Sequence, residues 1–334
     1  MGRIAVIGAG SFGTAMACAA RRAGQEVVLW AREAEVAEAI NAGRGNPVFL
    51  PDLPVESGIA ATTDLDAAVQ GADGVLLVVP SQFLRAVAER LRPSLRPGIP
   101  VVSCAKGIER GSCALMPEVV AETLPESPVA VLAGPSFARE VAAGLPIGVT
   151  LACADRVVGE RLARALGTRT FRVYTIDDPI SAAIGGAVKN VLAIACGIVT
   201  GRKLGAGARA LLITRGLYEM ALLARAKGGN PANLMGLAGI GDLVLTCTAS
   251  ESRNTSLGIA LGEGRKLADI LAERRAVTEG VASAESVAEL GRRLGIDLAI
   301  PAAVDRVLHR GADIDAAMAE LLAHPTGPEL LGIV

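Results

Sequence analysis

The chain has few aromatic residues and no excess of charge of either sign. Phe, Trp and Tyr make up 2% of its 334 residues, so packing must rest on Ala, Val, Leu and Ile, which the hydrophobic content of 51% supplies. With 33 basic against 34 acidic residues, the formal net charge is −1. This balance excludes the basic footprint typical of proteins that bind nucleic acids or anionic membrane surfaces. We therefore expect no nucleic-acid partner, and any anionic ligand must be met by cations placed locally.

Cysteine and histidine patterns are also sparse. The six cysteines are scattered, mostly among apolar neighbours, and form no C-x-x-C pair. This pattern favours reduced core residues in a cytoplasmic protein over a disulfide framework, and it predicts no metal site. The two histidines, His309 and His324, lie near the C-terminus, far in sequence from every motif. A histidine proton shuttle is therefore not expected.

Signals for export or membrane insertion are missing. The N-terminus lacks the charged and apolar regions of a signal peptide, because the apolar run Ile4–Ile7 leads directly into a glycine turn. The most membrane-like stretch, Ala182–Thr200, is interrupted at its centre by Lys189 and Asn190. A charge at that depth in lipid is costly, so the stretch predicts a buried helix. We expect a cytoplasmic protein without membrane insertion.

A glycine-rich turn near the N-terminus is the strongest local signal. Residues 8–13 read Gly-Ala-Gly-Ser-Phe-Gly, follow the apolar run Ile4–Ile7 and open onto a helical pattern from Thr14. In such a unit one glycine permits the tight turn, one lets the backbone approach a pyrophosphate and one lets the helix pack on the strand. The helix N-terminus favours the negative charge. The unit predicts dinucleotide binding.

The end of the second predicted strand, Val27–Trp30, indicates which dinucleotide is bound. An acidic residue about 20 positions past the first glycine holds the ribose 2′-OH of NAD, whereas a nearby arginine accommodates the 2′-phosphate of NADP. No acid stands at this strand end, and Arg32 follows it. We interpret Glu33 as a favourable charge in the first turn of the next helix. The pattern favours NADP(H) and leaves NAD(H) possible, and a solvated surface charge is the alternative for Arg32.

The two halves of the chain differ in pattern. Further strand-like runs occur at residues 74–79, 100–103, 129–132, 147–151 and 170–174, with helical patterns between them. This alternation predicts an α/β fold with a doubly wound, mainly parallel Rossmann-type sheet, and eight strands would use up the first half. Long Ala/Leu-rich helical stretches follow Pro179. We expect a dinucleotide-binding domain at residues 1–180, an all-helical domain at residues 181–334, and a cleft between them for a small substrate.

Two lysines stand in contexts that suit chemistry at a carbonyl group. Burial in an apolar pocket or a nearby cation lowers the pKa of a lysine towards working pH. Lys106 follows the predicted strand at 100–103, at the edge where open α/β sheets bind ligands. Lys189 interrupts an apolar helix, and spacing alone explains it equally well as a side chain that reaches solvent.

Two polar segments are open to more than one interpretation. Residues 134–138 follow a predicted strand and are consistent with simple turn chemistry. Residues 252–254, Ser-Arg-Asn, combine a guanidinium with hydroxyl and amide donors, a set that suits a phosphate. A polar helix cap is the alternative for this second segment.

Seven segments in a fixed order resemble the bacterial NAD(P)-dependent glycerol-3-phosphate dehydrogenase family. They are Gly8–Thr14, Lys106–Glu109, Gly134–Ala138, Gly186–Asn190, Leu212–Gly216, Gly236–Leu243 and Ser252–Asn254. The resemblance implies reversible hydride transfer between NAD(P)H and glycerone phosphate, giving sn-glycerol 3-phosphate for phospholipid synthesis. It also implies a homodimer.

The resemblance implies roles position by position. Lys189 would be the proton donor and acceptor at the substrate oxygen, Lys106 a second cation near substrate and cofactor, and Asp242 a substrate contact or the group that orients Lys189. The other substrate contacts would be Gly134, Ser136, Ser252, Arg253 and Asn254. The cofactor contacts would be Gly8, Gly10, Ser11, Phe12, Gly13, Arg32, Lys106, Ala138, Arg253, Val277 and Glu279. Alternative functions are another lysine-dependent hydroxy-acid dehydrogenase of the same kind, or a non-catalytic dinucleotide sensor.

Overall fold

A twisted sheet and a set of helices form two separate units in the computed structural model, which describes residues 1–274 and 277–325. The sheet unit comprises Met1–Ala105 and Met116–Pro179. The helical unit comprises Lys106–Leu115 and Ile180–Val334, of which residues 326–334, the end of the predicted second domain, lie outside the described residues. Lys106 thus belongs by sequence to the predicted first domain but packs with the helical unit.

The sheet unit has eight strands, and the prediction of a doubly wound, mainly parallel sheet is confirmed. The strands are β1 (Arg3–Ile7), β2 (Glu26–Trp30), β3 (Ile59–Thr62), β4 (Gly74–Leu77), β5 (Val101–Ser103), β6 (Val129–Ala133), β7 (Ile147–Cys153) and β8 (Phe171–Ile176). Their spatial order is β3-β2-β1-β4-β5-β6-β7-β8. Every neighbouring pair is parallel except β6 and β7. The first six strands follow the order typical of dinucleotide-binding folds.

Seven helices connect these strands. They are α1 (Ser11–Arg22), α2 (Ala34–Asn41), α3 (Leu65–Val69), α4 (Leu84–Leu91), α5 (Met116–Thr123), α6 (Ala138–Ala142) and α7 (Arg156–Leu166). Small side chains allow close packing: residues 13–20 of α1 are all buried, and five of those eight positions are Ala or Gly. The strands at the centre of the sheet, such as residues 4–7 of β1, are fully buried because helices cover both faces.

One strand, β3, was not located by the sequence pattern. Its four residues, Ile-Ala-Ala-Thr, include two alanines and lack a β-branched run. Tertiary contacts define it instead. It pairs in parallel with β2, and the Asn41 side chain donates to the carbonyl of Ala61 and accepts from its N–H, both at 2.8 Å. A short edge strand of this kind depends on its partners more than on its own propensity.

The described part of the helical unit contains eight α-helices, one 3₁₀ turn and one π-helical turn. They are α8 (Pro179–Gly201, whose first residue belongs to the sheet unit), α9 (Gly205–Ala226), a 3₁₀ turn (Pro231–Met235), a π-helical turn (Leu237–Gly241), α10 (Asp242–Thr248), α11 (Arg253–Gly262), α12 (Leu267–Ala272), α13 (Glu279–Leu294), α14 (Ala299–His309) and α15 (Ile314–Ala323). By length and composition α8 could cross a membrane, but its most apolar window is completely buried in the protein. The prediction of a buried helix at Ala182–Thr200 is confirmed.

Glycines bring α8 and α11 into backbone contact. A Cβ on Gly197 would lie 2.2 Å from the carbonyl oxygen of Thr255, and one on Gly201 would lie 2.3 Å from that of Ile259. In the other direction, a Cβ on Gly258 would lie 2.1 Å from the carbonyl oxygen of Ile194. Because a side chain at any of these positions would separate the two helices, the contact fixes the N-terminus of α11 relative to α8.

We expect Gly197→Ala to lower the free energy of unfolding by about 2–3 kcal/mol, the cost typical of an overpacked core. Alanine normally stabilises a helix by up to about 1 kcal/mol relative to glycine, so a loss would report the contact with α11. Gly207→Ala in α9 is the matched control, because nothing lies within 4 Å of a Cβ there. Denaturant unfolding of both variants tests this; equal midpoints would contradict the close-packing argument.

Candidate active site

The glycine turn between β1 and α1 has the geometry that a dinucleotide requires. Gly8 has φ +116°, and a Cβ there would lie 2.8 Å from the carbonyl oxygen of Val78. A Cβ on Gly13 would lie 1.7 Å from the carbonyl oxygen of Gly8, so helix and strand meet only with glycine at this position. Gly10 caps α1 and has open space where its side chain would be.

The N-terminus of α1 is built to receive an anion. No side chain among the described residues caps the helix, and no acidic residue stands in its first turn. Backbone N–H groups and the positive end of the helix dipole therefore point at the open side of the turn. A pyrophosphate fits these features, since it needs close backbone approach and N–H donors rather than side chains.

The remaining predicted cofactor residues at this end of the sheet unit are Ser11, Phe12 and Arg32. Ser11 Oγ donates to the carbonyl of Phe49 at 2.6 Å, and Phe12 is half-buried against the core. The Arg32 side chain is 77% exposed and forms an ion pair of 2.6 Å with Glu33, the residue before α2. Arg32 is thus at the surface and its charge is accessible.

The turn after β6 carries Gly134, Ser136 and Ala138. Gly134 has φ +146°, and a Cβ there would lie 3.0 Å from the Cα of Val149. Ser136 Oγ donates to the carbonyl of Gly134 at 3.0 Å, and Ala138 opens α6. These residues lie at the carboxyl end of β6, the same edge of the sheet as the glycine turn after the parallel strand β1.

In the helical unit, two lysines share one buried carboxylate. Lys189 Nζ lies 2.6 Å from Asp242 Oδ1, and Lys106 Nζ lies 2.8 Å from Asp242 Oδ2. Thr246 Oγ1 accepts from Lys189 Nζ at 2.8 Å and lies 3.3 Å from Asp242 Oδ1. Asp242 is 1% exposed and Lys189 is 6% exposed, so the alternative in which Lys189 reaches solvent is wrong.

Backbone packing brings this cluster together. A Cβ on Gly185 would lie 2.1 Å from the carbonyl oxygen of Ala238 in the π-helical turn, so α8 rests directly on that turn. Lys189 is one helical turn after Gly185, and Asp242 is four residues after Ala238. Lys189 and Asp242 therefore meet about one helical turn beyond the contact between Gly185 and Ala238. Turns of π-helix are frequent at functional sites, where they redirect a side chain.

Burial and charge shift the pKa values of the cluster in opposite directions. Burial lowers the pKa of Lys189 to about 8; Asp242 opposes this change and the positive charge of Lys106 adds to it. Burial alone would raise the pKa of Asp242, but Lys106 and Lys189 outweigh it and hold that pKa below its ordinary value. Lys189 can therefore exchange a proton near neutral pH while Asp242 stays charged.

The segment at residues 252–254 is partly a helix cap. Ser252 is buried and its Oγ accepts from the N–H of Thr255, which makes it the N-cap of α11. Arg253 is exposed and donates to the carbonyl of Val277 at 2.6 Å, close to Glu279 at the start of α13. Asn254 is buried. The cap interpretation therefore holds for Ser252, and the guanidinium of Arg253 is the accessible charge of the segment.

The sequence predicted no chemistry for the cysteines or for the two histidines. All six cysteines are free and buried, as predicted. His309 Nε2 lies 2.8 Å from the carbonyl oxygen of Val281, and His324 pairs with Asp297 at the end of the chain that the structure describes. Within residues 1–274 and 277–325, no three His, Cys, Asp or Glu side chains form a group that could hold a metal ion.

Sequence reasoning gave no role to three polar residues of the site, two beside the cluster and one beside Arg253. Thr246 lies four residues after Asp242, and this helical spacing could have identified it. Asn190 follows Lys189 and donates to the carbonyl of Lys106 at 2.9 Å. Arg274 donates to the carbonyl of Arg253 at 2.6 Å and so holds the start of α11. No local pattern reveals the last two contacts, because each joins residues that are distant in sequence.

Comparison with known proteins covers nearly the whole chain. Residues 3–158 match the family described as NAD-dependent glycerol-3-phosphate dehydrogenase N-terminus, and residues 178–319 match the C-terminus of the same family. The glycerol-3-phosphate dehydrogenase (NAD(P)+) of Rhodospirillum rubrum is 55% identical over 323 residues, covering 96% of this chain and 92% of that protein. The protein of the same name from Caulobacter vibrioides is 51% identical over 327 residues, covering 98% of each.

A solved structure agrees with this result. The crystal structure of a glycerol-3-phosphate dehydrogenase from Coxiella burnetii superposes with a TM-score of 0.92 at 42% identity, covering 96% of this chain and 98% of that one. These matches confirm the family resemblance predicted from the seven sequence segments. The chain belongs to the NAD-dependent glycerol-3-phosphate dehydrogenase family.

Proposed function

We propose that this chain reversibly reduces glycerone phosphate to sn-glycerol 3-phosphate, with NADP(H) favoured and NAD(H) possible as cofactor. The observation that carries the proposal is the pair of lysines on the buried carboxylate of Asp242, in a chain whose relatives bear the name of this activity. The product would serve phospholipid synthesis in the cytoplasm, and the active form would be a homodimer. The dinucleotide belongs to the predicted domain at residues 1–180, and the phosphorylated substrate to that at residues 181–334.

Lys189 is the proton donor in the direction of reduction. The dinucleotide, when bound, supplies the hydride that reaches the carbonyl carbon. The ammonium of Lys189 transfers a proton to the carbonyl oxygen, which becomes the secondary hydroxyl of the product. In the reverse direction the neutral amine accepts that proton. A pKa of about 8 makes both forms of Lys189 accessible near neutral pH.

Asp242 and Lys106 prepare the charge around this proton transfer. Asp242 holds both ammonium groups through separate oxygens, which fixes the direction of the Lys189 Nζ. Lys106 places a second positive charge beside the position where negative charge develops on the substrate oxygen. A fixed charge in a buried site stabilises such a transition state more than the same charge in water. Thr246 restricts Lys189 further, since its Oγ1 accepts from Nζ.

The phosphate of the substrate would be held by Ser252, Arg253 and Asn254, together with Gly134 and Ser136. Arg253 offers several N–H donors, of which one set reaches the carbonyl of Val277. A guanidinium matches the geometry of a phosphate, and charge-assisted hydrogen bonds are about twice as strong as neutral ones.

The cofactor would be bound in both domains. The turn at Gly8, Gly10 and Gly13 receives the pyrophosphate on the N-terminus of α1, with Ser11 and Phe12 beside it. The exposed charge of Arg32 suits a 2′-phosphate. The further contacts are Lys106, Ala138, Arg253, Val277 and Glu279.

Turnover with both cofactors tests the activity. We expect NADPH absorbance to fall when glycerone phosphate is added, with a higher kcat/KM for NADPH than for NADH because Arg32 favours the 2′-phosphate. If glycerone phosphate causes oxidation of neither NADPH nor NADH, the proposed function is wrong. A strong preference for NADH would remove only the role of Arg32.

Replacement of the proton donor tests the mechanism. We expect Lys189→Ala to lower kcat by about a hundredfold or more, the usual scale of general acid catalysis. Lys266→Ala, which removes an exposed lysine before α12, is the matched control and should leave kcat unchanged. Near-normal turnover of Lys189→Ala would transfer the role to Lys106.

The pH dependence should have opposite signs in the two directions. Oxidation of glycerol 3-phosphate needs neutral Lys189, so its rate should rise with pH and level off above about 8. Reduction needs the ammonium, so its rate should fall above that pH. Because Asp242 raises the pKa of Lys189, Asp242→Asn should move both limbs to lower pH in whatever activity remains. If both pH–rate profiles stay in place in Asp242→Asn, the group that titrates is not Lys189.

A further inference from the structure

Two buried asparagines join the start of α13 to the backbone of Lys106. The N–H of Gly280 donates to Asn254 Oδ1 at 3.0 Å. Asn254 Nδ2 donates to Asn190 Oδ1 at 2.9 Å, and Asn190 Nδ2 donates to the carbonyl of Lys106 at 2.9 Å. We name this series of three hydrogen bonds the amide relay. All of its members lie in the helical unit.

The relay has only one possible direction. A backbone N–H stands at one end and can only donate; a backbone carbonyl stands at the other and can only accept. If the Asn190 side chain rotated by half a turn, its oxygen would face the carbonyls of Lys106 and Gly186, both of which now accept from its Nδ2. The backbone groups at the two ends therefore determine the orientation of both side-chain amides.

Burial makes this arrangement rigid. Asn190 is 5% exposed and Asn254 is 8% exposed, so water cannot easily replace a lost partner. A buried amide without a partner is costly, and the whole series therefore tends to form or fail together. The relay also requires glycine at position 280, because a Cβ there would lie 2.5 Å from Asn254 Oδ1 and 2.6 Å from the carbonyl oxygen of Asn190.

The same helix also holds the middle of the segment that carries Lys106, residues 106–115. Near the C-terminus of α13, Arg293 donates to the carbonyls of Gly111 and Ser112 at 2.9 and 3.1 Å. Its first turn reaches the near end of this segment through the amide relay. Lys106–Leu115 is thus attached to α13 at its first residue and near its middle, and the relay is the attachment that bears on the catalytic lysine.

We propose that Asn190 and Asn254 are positioning residues that hold the backbone of Lys106, and thereby its ammonium group, on Asp242. The inference rests on the proposed function, since it gives Lys106 its importance. Asn190 has no N–H left to donate to a ligand, because both Nδ2 hydrogens are used within the protein. Within the described residues, one N–H of Asn254 Nδ2 has a partner, Asn190 Oδ1. The other would bind the substrate phosphate, so that one residue would serve both phosphate binding and the placement of Lys106.

Asn190→Leu tests the relay, because leucine has a similar size and no hydrogen-bonding group. We expect faster amide hydrogen exchange in residues 106–115, measured by mass spectrometry, and a kcat lower by roughly ten- to hundredfold, the scale for a catalytic group displaced by about 1 Å. The charge of Lys106 lowers the pKa of Lys189, so displacement of Lys106 should also move the pH dependence of both reaction directions (the pH limb) to higher pH. Asn254→Leu should do the same and in addition raise the KM for the substrate.

Two comparisons separate positioning from a general loss of structure. Asn41→Leu removes a side chain with two backbone hydrogen bonds in the sheet unit, and it should change neither exchange in residues 106–115 nor the pH limb. In a Lys106→Ala background, Asn190→Leu should cause no further shift of the limb, because the displaced charge is already gone.

Two results would overturn the proposal: unchanged exchange of residues 106–115 in Asn190→Leu, or an equal shift of the limb with and without the Lys106 side chain. The exchange measurement needs no turnover. An inactive wild-type protein would therefore refute the proposed function and still leave the relay open to test.

Discussion

The burial of one carboxylate between two ammonium groups is the interaction on which the rest of the site depends. Asp242 and Lys189 are almost completely shielded from water, and removing one member of a buried ion pair typically costs about 3–5 kcal/mol, because the other charge then has no partner. With both lysines protonated, the cluster keeps one net positive charge. This excess charge suits an anionic substrate and an oxygen that becomes negative during reduction. Burial of the charges thus lowers the stability of the folded protein, and it also strengthens the electrostatic interactions that the reaction needs.

Such a cluster requires elements that approach more closely than side chains normally permit. Glycine provides this approach wherever the geometry matters: Gly185 on the π-helical turn, Gly197 on α11, and Gly280 at the amide relay. The low content of aromatic residues fits the same principle, since large rings would hold the helices apart. Backbone contact leaves few ways to repack, and the positions of Lys189, Asp242 and Asn254 are therefore determined by the chain itself more than by flexible side chains.

The sequence predicted what local patterns encode. Hydrophobic runs and turn residues located seven of the eight strands. The glycine-rich segment after the first strand predicted a tight turn and, at that turn, a site for a pyrophosphate. The edge strand β3 escaped because its pairing with β2 and with Asn41 determines it. Sequence context singled out both lysines, and the family resemblance added Asp242 and the role of each residue. Spacing alone left Lys189 undecided, since its burial depends on the partner that meets it. Ser252 shows the reverse case: a residue expected to bind phosphate also has a structural task as a helix cap.

The segment Lys106–Leu115 belongs to the helical unit, although the chain before and after it belongs to the sheet unit. The polypeptide leaves the sheet unit after β5, contributes one short segment to the helical unit, and returns at Met116 to complete the sheet. A fragment beginning at residue 180 would carry Lys189 and Asp242 but would lack the second cation. Exchange of helical units between related enzymes at a single junction would likewise pair one enzyme's Lys106 with another enzyme's asparagines. A functional chimera therefore needs two exchanged segments, and the proposed proton-transfer site would be inherited only when both come from the same parent.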